Sequence, residues 1–252
     1  MINISVSGGM GKMGKRICHF INENPDTELV GIIEKSGHPE ISAKVGNISV
    51  TENISEGIKK ADIIIDFTST ENTLNLVDIC AQENKKIVIG TTGFDSGQTD
   101  KLKIFAGEIA ILLSPNMSIG VNLMYKMAKD ITERLPAYEK EIIEAHHRQK
   151  VDSPSGTAIK LAGIIAGSED KPVFGREGKV GPRQKNEVGI HAVRGGSIVG
   201  EHKIMWIGDN DIIELTHKAQ TRDVFAQGAV QAAIWLSKKN SGRLYDMEDV
   251  LS

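Results

Sequence analysis

Cysteine is nearly missing from this 252-residue chain: there are two, Cys18 and Cys80, in separate helix-like segments with no C-x-x-C partner. That excludes a disulfide framework and a cysteine-based metal site, and both read as small buried apolar residues of a reducing compartment. Long apolar runs are missing too, since no stretch approaches the roughly 18 residues a membrane helix needs. The opening MINISVSGG has neither the charged region nor the small-residue cleavage site of a secretory signal. These absences predict a cytoplasmic location without membrane contact. Basic excess is lacking as well. Lys and Arg number 30 against 33 Asp and Glu, a formal net charge of −3, so no broad cationic face advertises nucleic acid or anionic lipid. There is no internal repeat and no low-complexity tract. What remains is 40% hydrophobic and 25% charged. That is enough chain for one large or two modest domains without disulfide or metal staples.

The first 117 residues alternate short apolar runs with helical patterns. The runs at 2–8, 28–34, 61–68, 86–93 and 109–116 are brief, β-branched and closed by polar or small residues. Near-continuous apolar strands belong to sheets covered on both faces, which is the habit of parallel sheets. Between them, KMGKRICHFINE and NTLNLVDICAQEN carry apolar residues at helical spacing. Such repetition predicts an α/β fold with a doubly wound parallel sheet, Rossmann-like in class. After Asn116 the texture changes. Residues 119–135 read as a long amphipathic helix with Val121, Met124, Met127, Ile131 and Leu135 on its apolar face. A strand over 138–147 and a helix over 157–167 follow. Residues 168–186 are polar and punctuated by Gly and Pro, and read as an extended loop. Three further strands predict a mixed or antiparallel sheet, hence a second, α+β domain. The segment 223–239 reads as a helix able to pack on either domain.

VSGGMGKMG stands between the first strand and the first helix. Glycines here allow a tight turn and close approach of a pyrophosphate, and the free N–H groups of the helix start hold the anion. The motif sits in the strand–turn–helix context it requires. Glu34 ends the second strand, twenty residues beyond Gly14, where a carboxylate accepts hydrogen bonds from ribose hydroxyls. Lys35 and Lys12 offer charge for a 2′-phosphate. Use of both NADH and NADPH is therefore expected. GTTG (90–93) and SPNM (114–117) close the fourth and fifth strands, where the ligand crevice of an open α/β sheet lies.

EAHHRQKVDSPSGTA (144–158) collects two histidines, an arginine and a lysine just ahead of a helix start. Ser153 or Ser155 could cap that helix, leaving the amides of Gly156 and Thr157 and the Thr157 hydroxyl to receive a carboxylate. Imidazole titrates near neutrality, so His146 can deliver a proton. A straight strand would put His146, Arg148 and Lys150 on one face and His147 on the other, whereas a bend after His146 would bring His147 in. The other histidines (His19, His38, His191, His202 and His217) show no ligand spacing and read as structural or surface groups. No metal site is expected.

Together GGMGKMG, DFT, GTTGF, SPNMSIGVN, EAHHRQKVDSPSGTA, GIHAVRGGSIVGEH and THKAQTRDVFAQGAVQAAIWL resemble, in order and across nearly the whole chain, the bacterial dihydrodipicolinate reductase family, also called 4-hydroxy-tetrahydrodipicolinate reductases. The resemblance implies an NAD(P)H-dependent reduction of a cyclic unsaturated dicarboxylate, with loss of water, in diaminopimelate and lysine synthesis. It implies His146 and Lys150 as proton-transferring groups. His147, Ser155, Gly156, Thr157 and Thr91 would contact substrate. Gly8, Gly9, Met10, Gly11, Lys12, Met13, Glu34, Lys35, Gly90, Thr91, Thr92, Ser114, Pro115, Asn116 and Met117 would contact cofactor. It also implies a homotetramer built through the second domain, and a division into 1–117 with 223–252, which binds dinucleotide, and 118–222, which binds substrate. Two departures stand out. Thr70 replaces a frequent proline, which would loosen that loop, and Lys35 replaces the arginine of some relatives, which loses a two-pronged phosphate grip.

The residues alone leave alternatives open. Another nicotinamide-dependent dehydrogenase of a small amino or dicarboxylic acid would share the glycine loop. A semialdehyde enzyme would need a loop cysteine, and both cysteines fall in helical patterns. A nucleotide-sensing regulator would need a DNA-reading element that the charge balance does not provide.

Overall fold

Five short Ile- and Val-rich runs set the framework of the first half, and the computed structural model, which describes residues 1–252, shows how they pair. In chain order, β1 (Ile2–Ser7) leads through the glycine loop into α1 (Lys12–Glu23), then β2 (Thr27–Ile33). A hairpin of β3 (Lys44–Val45) and β4 (Ile48–Thr51) and the short α2 (Ile54–Ile58) follow. Next come β5 (Ile63–Asp66), α3 (Thr70–Gln82), β6 (Lys86–Ile89), α4 (Ser96–Phe105) and β7 (Ile111–Leu113). The middle of the chain holds α5 (Ile119–Arg134), β8 (Glu139–His146), α6 (Gly156–Ile165), β9 (Lys171–Phe174), β10 (Glu187–Arg194), β11 (Gly200–Ile207) and β12 (Ile212–Ala219). The chain closes with α7 (Asp223–Ser237), β13 (Leu244–Tyr245) and α8 (Met247–Val250). No helix is long and apolar enough to cross a membrane.

The chain divides into two compact units, Met1–Ile119 with Asp223–Ser252, and Gly120–Arg222. In the first, the sheet runs β13-β7-β6-β5-β1-β2-β4-β3, parallel throughout except for the β3–β4 hairpin. Two apolar layers cover its faces, one holding Ile17, Ile21, Ala229 and Ala233 of α1 and α7, the other Leu76, Val77 and Cys80 of α3 with Leu102 of α4. Burial on both faces is why β5 reads as an unbroken apolar run. The segment 223–239, open to either domain from its pattern, packs in this first unit. Helix α7 lies so close to the loop after β7 that a Cβ on Gly228 would fall 1.8 Å from the Met117 carbonyl oxygen. Both cysteines are buried, and burial pushes the Cys18 thiol up to about 12 and raises that of Cys80 as well.

The second unit is a five-stranded mixed sheet, β12-β11-β8-β10-β9, with α5 and α6 packed on it. Two expectations are corrected here. Residues 168–186 are not strandless, because β9 pairs in parallel with β10 at the sheet edge. Its pattern gave no sign of this because side chains of β9 are mostly exposed, and Pro172 is tolerated at an edge where one row of N–H groups needs no partner. The loop beyond β9 is drawn in by Glu141, which accepts from Arg176 at 2.9 Å and from Arg183 at 3.3 Å. In α5, Met127 is 42% exposed and does not join the apolar face; Val121, Met124, Tyr125 and Ala128 do. A 3.6-residue period carries the buried stripe from 121 to 124/125 and 128, so a step of three repeated twice drifts off it.

Candidate active site

The glycine loop is built by close approaches that side chains would forbid. Gly8 has φ +75°, and a Cβ there would meet the Phe67 carbonyl oxygen at 2.9 Å. Gly11 is the N-cap of α1 and supplies no side-chain cap, so the first N–H groups of the helix have no side-chain partner there. Met10 N donates to Glu34 Oε1 at 2.8 Å, which locks the loop to the end of β2. A cavity of about 640 Å³ opens there, lined by Gly8, Gly11, Glu34, Lys35, Thr68 and Asn72 among others. That volume falls in the usual range for cofactor sites. A larger cavity of about 850 Å³ runs along the start of β2 past Gly31 and Gly57. It lies at the wrong end of the strands, since open parallel sheets take ligands at their carboxyl ends. Lys12, Lys35, Thr92 and Pro115 are exposed, Met13 is half-buried against the core, and Gly9 is buried.

A buried carboxylate organises the neighbouring loops. Asp66, 0% exposed, ends β5 and accepts from the hydroxyls of Thr73 (2.5 Å), Thr68 (2.8 Å) and Thr91 (2.8 Å). Burial raises its pKa, and the threonine hydroxyls oppose that shift. Thr91 Oγ1 also accepts from Thr68 N at 2.9 Å, so this hydroxyl is spent inside the protein and faces inward. The Phe67 ring lies against Gly90, where a Cβ would come within 2.2 Å of it. In the next loop Ser114 Oγ donates to the Asn116 carbonyl at 2.9 Å, and Asn116 Oδ1 accepts from Ser118 N at 2.9 Å. The Met117 side chain is 1% exposed and belongs to the core, so this loop offers a ligand mainly backbone. Thr70 is the first residue of α3, capped by Ser69, a helical position that proline also suits, so it stands at a helix start and not in a free loop.

The histidine segment lies in the second unit. Strand β8 ends at His146, and Lys150 N donates to the His147 carbonyl at 3.1 Å, so the chain turns at once. The bend left open by the sequence pattern is present. Ser155 caps α6, its hydroxyl accepting from Ala158 N at 3.2 Å. Gly156 is exposed and a Cβ there would meet no protein atom within 4 Å, so the helix start stays open to approach. Thr157, half-buried, shares a hydrogen bond with the Tyr125 hydroxyl. Lys150 Nζ pairs with Asp152 Oδ1 at 2.7 Å.

Three residues without an assigned role in the sequence pattern join this cluster. Glu144 Oε2 accepts from His146 Nδ1 at 2.7 Å, while Glu144 Oε1 accepts from Ser155 N at 3.0 Å. Arg194 grips Glu144 with both Nη atoms at 2.7 Å. His202 Nε2 lies 3.0 Å from Ser155 Oγ, and its ring stands edge-on to His146 at 5.2 Å. A signal for Glu144 existed, since positions i and i+2 of a strand share a face. Arg194 and His202 arrive through strand pairing, opposite His146 and Glu144 respectively, which no local pattern encodes. Burial, the repulsion of Lys150 and that of Arg194 hold the His146 pKa below its ordinary value against the pull of Glu144. His202 is driven by burial to about 3 and stays neutral. The Nδ1 atoms of His147 and His202 and the Nε of Arg194 are buried without a hydrogen-bond partner. Nowhere does a group of three or more His, Cys, Asp or Glu come together as metal ligands.

Comparison with known proteins gives this arrangement its family. The family model described as dihydrodipicolinate reductase, N-terminus, matches residues 2–117, and the one described as dihydrodipicolinate reductase, C-terminus, matches 120–251. The 4-hydroxy-tetrahydrodipicolinate reductase of Syntrophus aciditrophicus (strain SB) is 40% identical over 265 residues, covering 100% of this chain and 98% of its own. That of Nitrosospira multiformis is 41% identical, covering 99% and 97%. Among solved structures, dipicolinate-bound dihydrodipicolinate reductase from Paenisporosarcina sp. TG-14 superposes with a TM-score of 0.84 at 29% identity, covering 99% of both chains. Such full-length likeness selects the reductase over other dehydrogenases on the same fold, and the chain belongs to the dihydrodipicolinate reductase family.

Proposed function

We propose that the chain reduces 4-hydroxy-tetrahydrodipicolinate to tetrahydrodipicolinate, with loss of water, using NADH or NADPH in diaminopimelate and lysine synthesis. The observation that carries this reading is one buried carboxylate, Glu144, bonded both to the His146 imidazole and to the amide that opens α6. A proton donor and a carboxylate-binding helix start are thereby held beside each other. A doubly ionised ring needs both, because burying two negative charges without partners costs many kcal/mol.

The glycine cradle, the uncapped start of α1 and Glu34 fit a nicotinamide dinucleotide, which when bound supplies the hydride. Gly8 to Met13 bind its pyrophosphate through backbone. Glu34 and Lys35 read the ribose, Lys35 extending use to NADPH. The loops at Gly90–Thr92 and Ser114–Met117 border the nicotinamide, with Thr91 held rigid by Asp66. On the substrate side, the α6 start at Gly156 and Thr157 receives one carboxylate, with His147 and Lys150 nearby. His146 holds a proton for the electron-rich ring left by reduction, and Lys150 offers a second donor. General acid catalysis of this kind contributes about 10²–10⁴-fold. Homotetramer assembly through the five-stranded sheet is supported by Ile212 and Ile213 on β12, which are 57% and 39% exposed.

The test is loss of reduced-nicotinamide absorbance with freshly generated cyclic substrate. His146→Gln and Lys150→Ala are each expected to depress turnover about tenfold or more with modest change in cofactor affinity. No oxidation by the wild-type protein would reject the activity. Full turnover in either variant would remove that residue from the mechanism.

A further inference from the structure

Glu144 is completely buried, and four donors converge on it: Arg194 Nη1 and His146 Nδ1 on Oε2, each at 2.7 Å, and Arg194 Nη2 at 2.7 Å with Ser155 N at 3.0 Å on Oε1. Burial alone would raise its pKa, yet Arg194, His146 and the Ser155 amide hold it below the usual carboxylate range. An ionised carboxylate only accepts hydrogen bonds. His146 Nδ1 must therefore carry a hydrogen, and in the neutral ring that leaves Nε2 bare. Nε2 makes no hydrogen bond within the chain and stands beside Gly200, where a Cβ would come within 3.1 Å of it. Arg194 Nη2 also donates to the Asp152 carbonyl at 2.9 Å, and Asp152 in turn holds Lys150. One guanidinium thus connects both of the groups assigned to proton transfer.

We propose that Glu144 and Arg194 are positioning residues for that step. Glu144 keeps the His146 Nδ1–H on its own carboxylate, so that Nε2 is the atom that takes up a proton to form the imidazolium and gives it to the reduced ring, leaving the neutral Nδ1–H tautomer, while Arg194 keeps Glu144 ionised and fixes the turn that carries Lys150. This rests on the reductase reading and deepens it. A simpler structural role, in which Glu144 merely fills a buried polar gap, would not tie the pH limit of turnover to the Glu144 charge. The groups facing that ring are Glu144 on its own strand, Arg194 on β10, His202 on β11 and Lys150 in the turn, with His217 on β12 behind His202. Glu144 is the one anion among them, so removing its charge lowers the imidazole pKa further.

The test has two arms. The ¹⁵N spectrum of histidine-labelled wild type, assigned against His146→Gln and recorded above the His146 pKa, should show Nδ1 protonated and Nε2 bare. Glu144→Gln should cut kcat about tenfold or more, as loss of an orienting partner does in metal sites. It should leave the KM for NADPH within about twofold and move the alkaline limb of kcat/KM to lower pH by about half a unit or more. Arg194→Lys, which keeps charge but loses the fork, should fall between the two. An Nε2-protonated ring in the wild type overturns the proposal, and so does a folded Glu144→Gln enzyme whose pH limb stays in place. If that variant does not fold, the wild-type tautomer decides. An inactive wild type would reject the reductase reading, whereas an active wild type with the other tautomer rejects this inference alone.

Discussion

The carbonyl oxygen of Gly8 lies only 2.0 Å from the point where a Cβ on Gly14 would sit, and the Cα of Gly9 only 2.6 Å. These obstacles are backbone, so they cannot swing away as a flexible side chain would. Gly14→Ala must push α1 off the glycine loop. Overpacking of this kind costs about 1–3 kcal/mol or more. A lower thermal midpoint and loss of NADH binding in a fluorescence titration are expected; unchanged binding would show that the loop does not hold the pyrophosphate.

Lys35 is exposed at the rim of the cavity beside Glu34. Lys35→Ala should raise the KM for NADPH about fivefold, the worth of roughly 1 kcal/mol for a solvent-screened charge pair, and leave that for NADH nearly unchanged. Equal effects on both coenzymes would remove Lys35 from phosphate recognition.

Thr91 joins two loops through a single hydroxyl, donating to Asp66 at 2.8 Å and accepting from Thr68 N at 2.9 Å. Thr91→Val keeps the shape and leaves a partly buried amide unpaired, a loss of about 1–3 kcal/mol. Urea unfolding should register it. Because the loops after β5 and β6 border the proposed nicotinamide position, kcat should fall as well.

Stability should decline in mild acid. In the folded chain the His202 pKa is depressed to about 3 by burial. An unfolded histidine titrates near 6.5, so as pH falls below about 6.5 the unfolded chain gains a proton that the fold refuses. One such group removes about 1.4 kcal/mol between pH 7.5 and 5.5. His146 and His217, also lowered chiefly by burial, act in the same direction. Glu141 and Glu144, held below the ordinary carboxylate range despite their burial, add their losses only in more acidic solution. His202→Gln should flatten the decline between pH 7.5 and 5.5 measured by urea titration. A slope as steep as that of the wild type would contradict the assignment.

Much of the candidate site's local layout could be read from the chain in advance because its parts are contiguous. The glycine loop, Glu34 at the end of β2, and the run from His146 to Thr157 each lie on one strand end or turn, where spacing translates directly into geometry. The helix over 12–23 coincides with α1, whose apolar residues recur at the helical period. Met127 was misplaced because a three-residue step mimics that period for only two turns.

Local chemistry along the chain determined which stretches become strands, which glycine-rich turn joins β1 to α1, and where imidazole and ammonium groups gather. It could not determine that Glu144 faces Arg194 and His202, that Asp66 gathers three threonine hydroxyls, or that β9 exists. Those depend on which strands become neighbours and in what register. Register is settled by burial over the whole sheet, and only after it is settled do charges distant in sequence come within hydrogen-bonding reach.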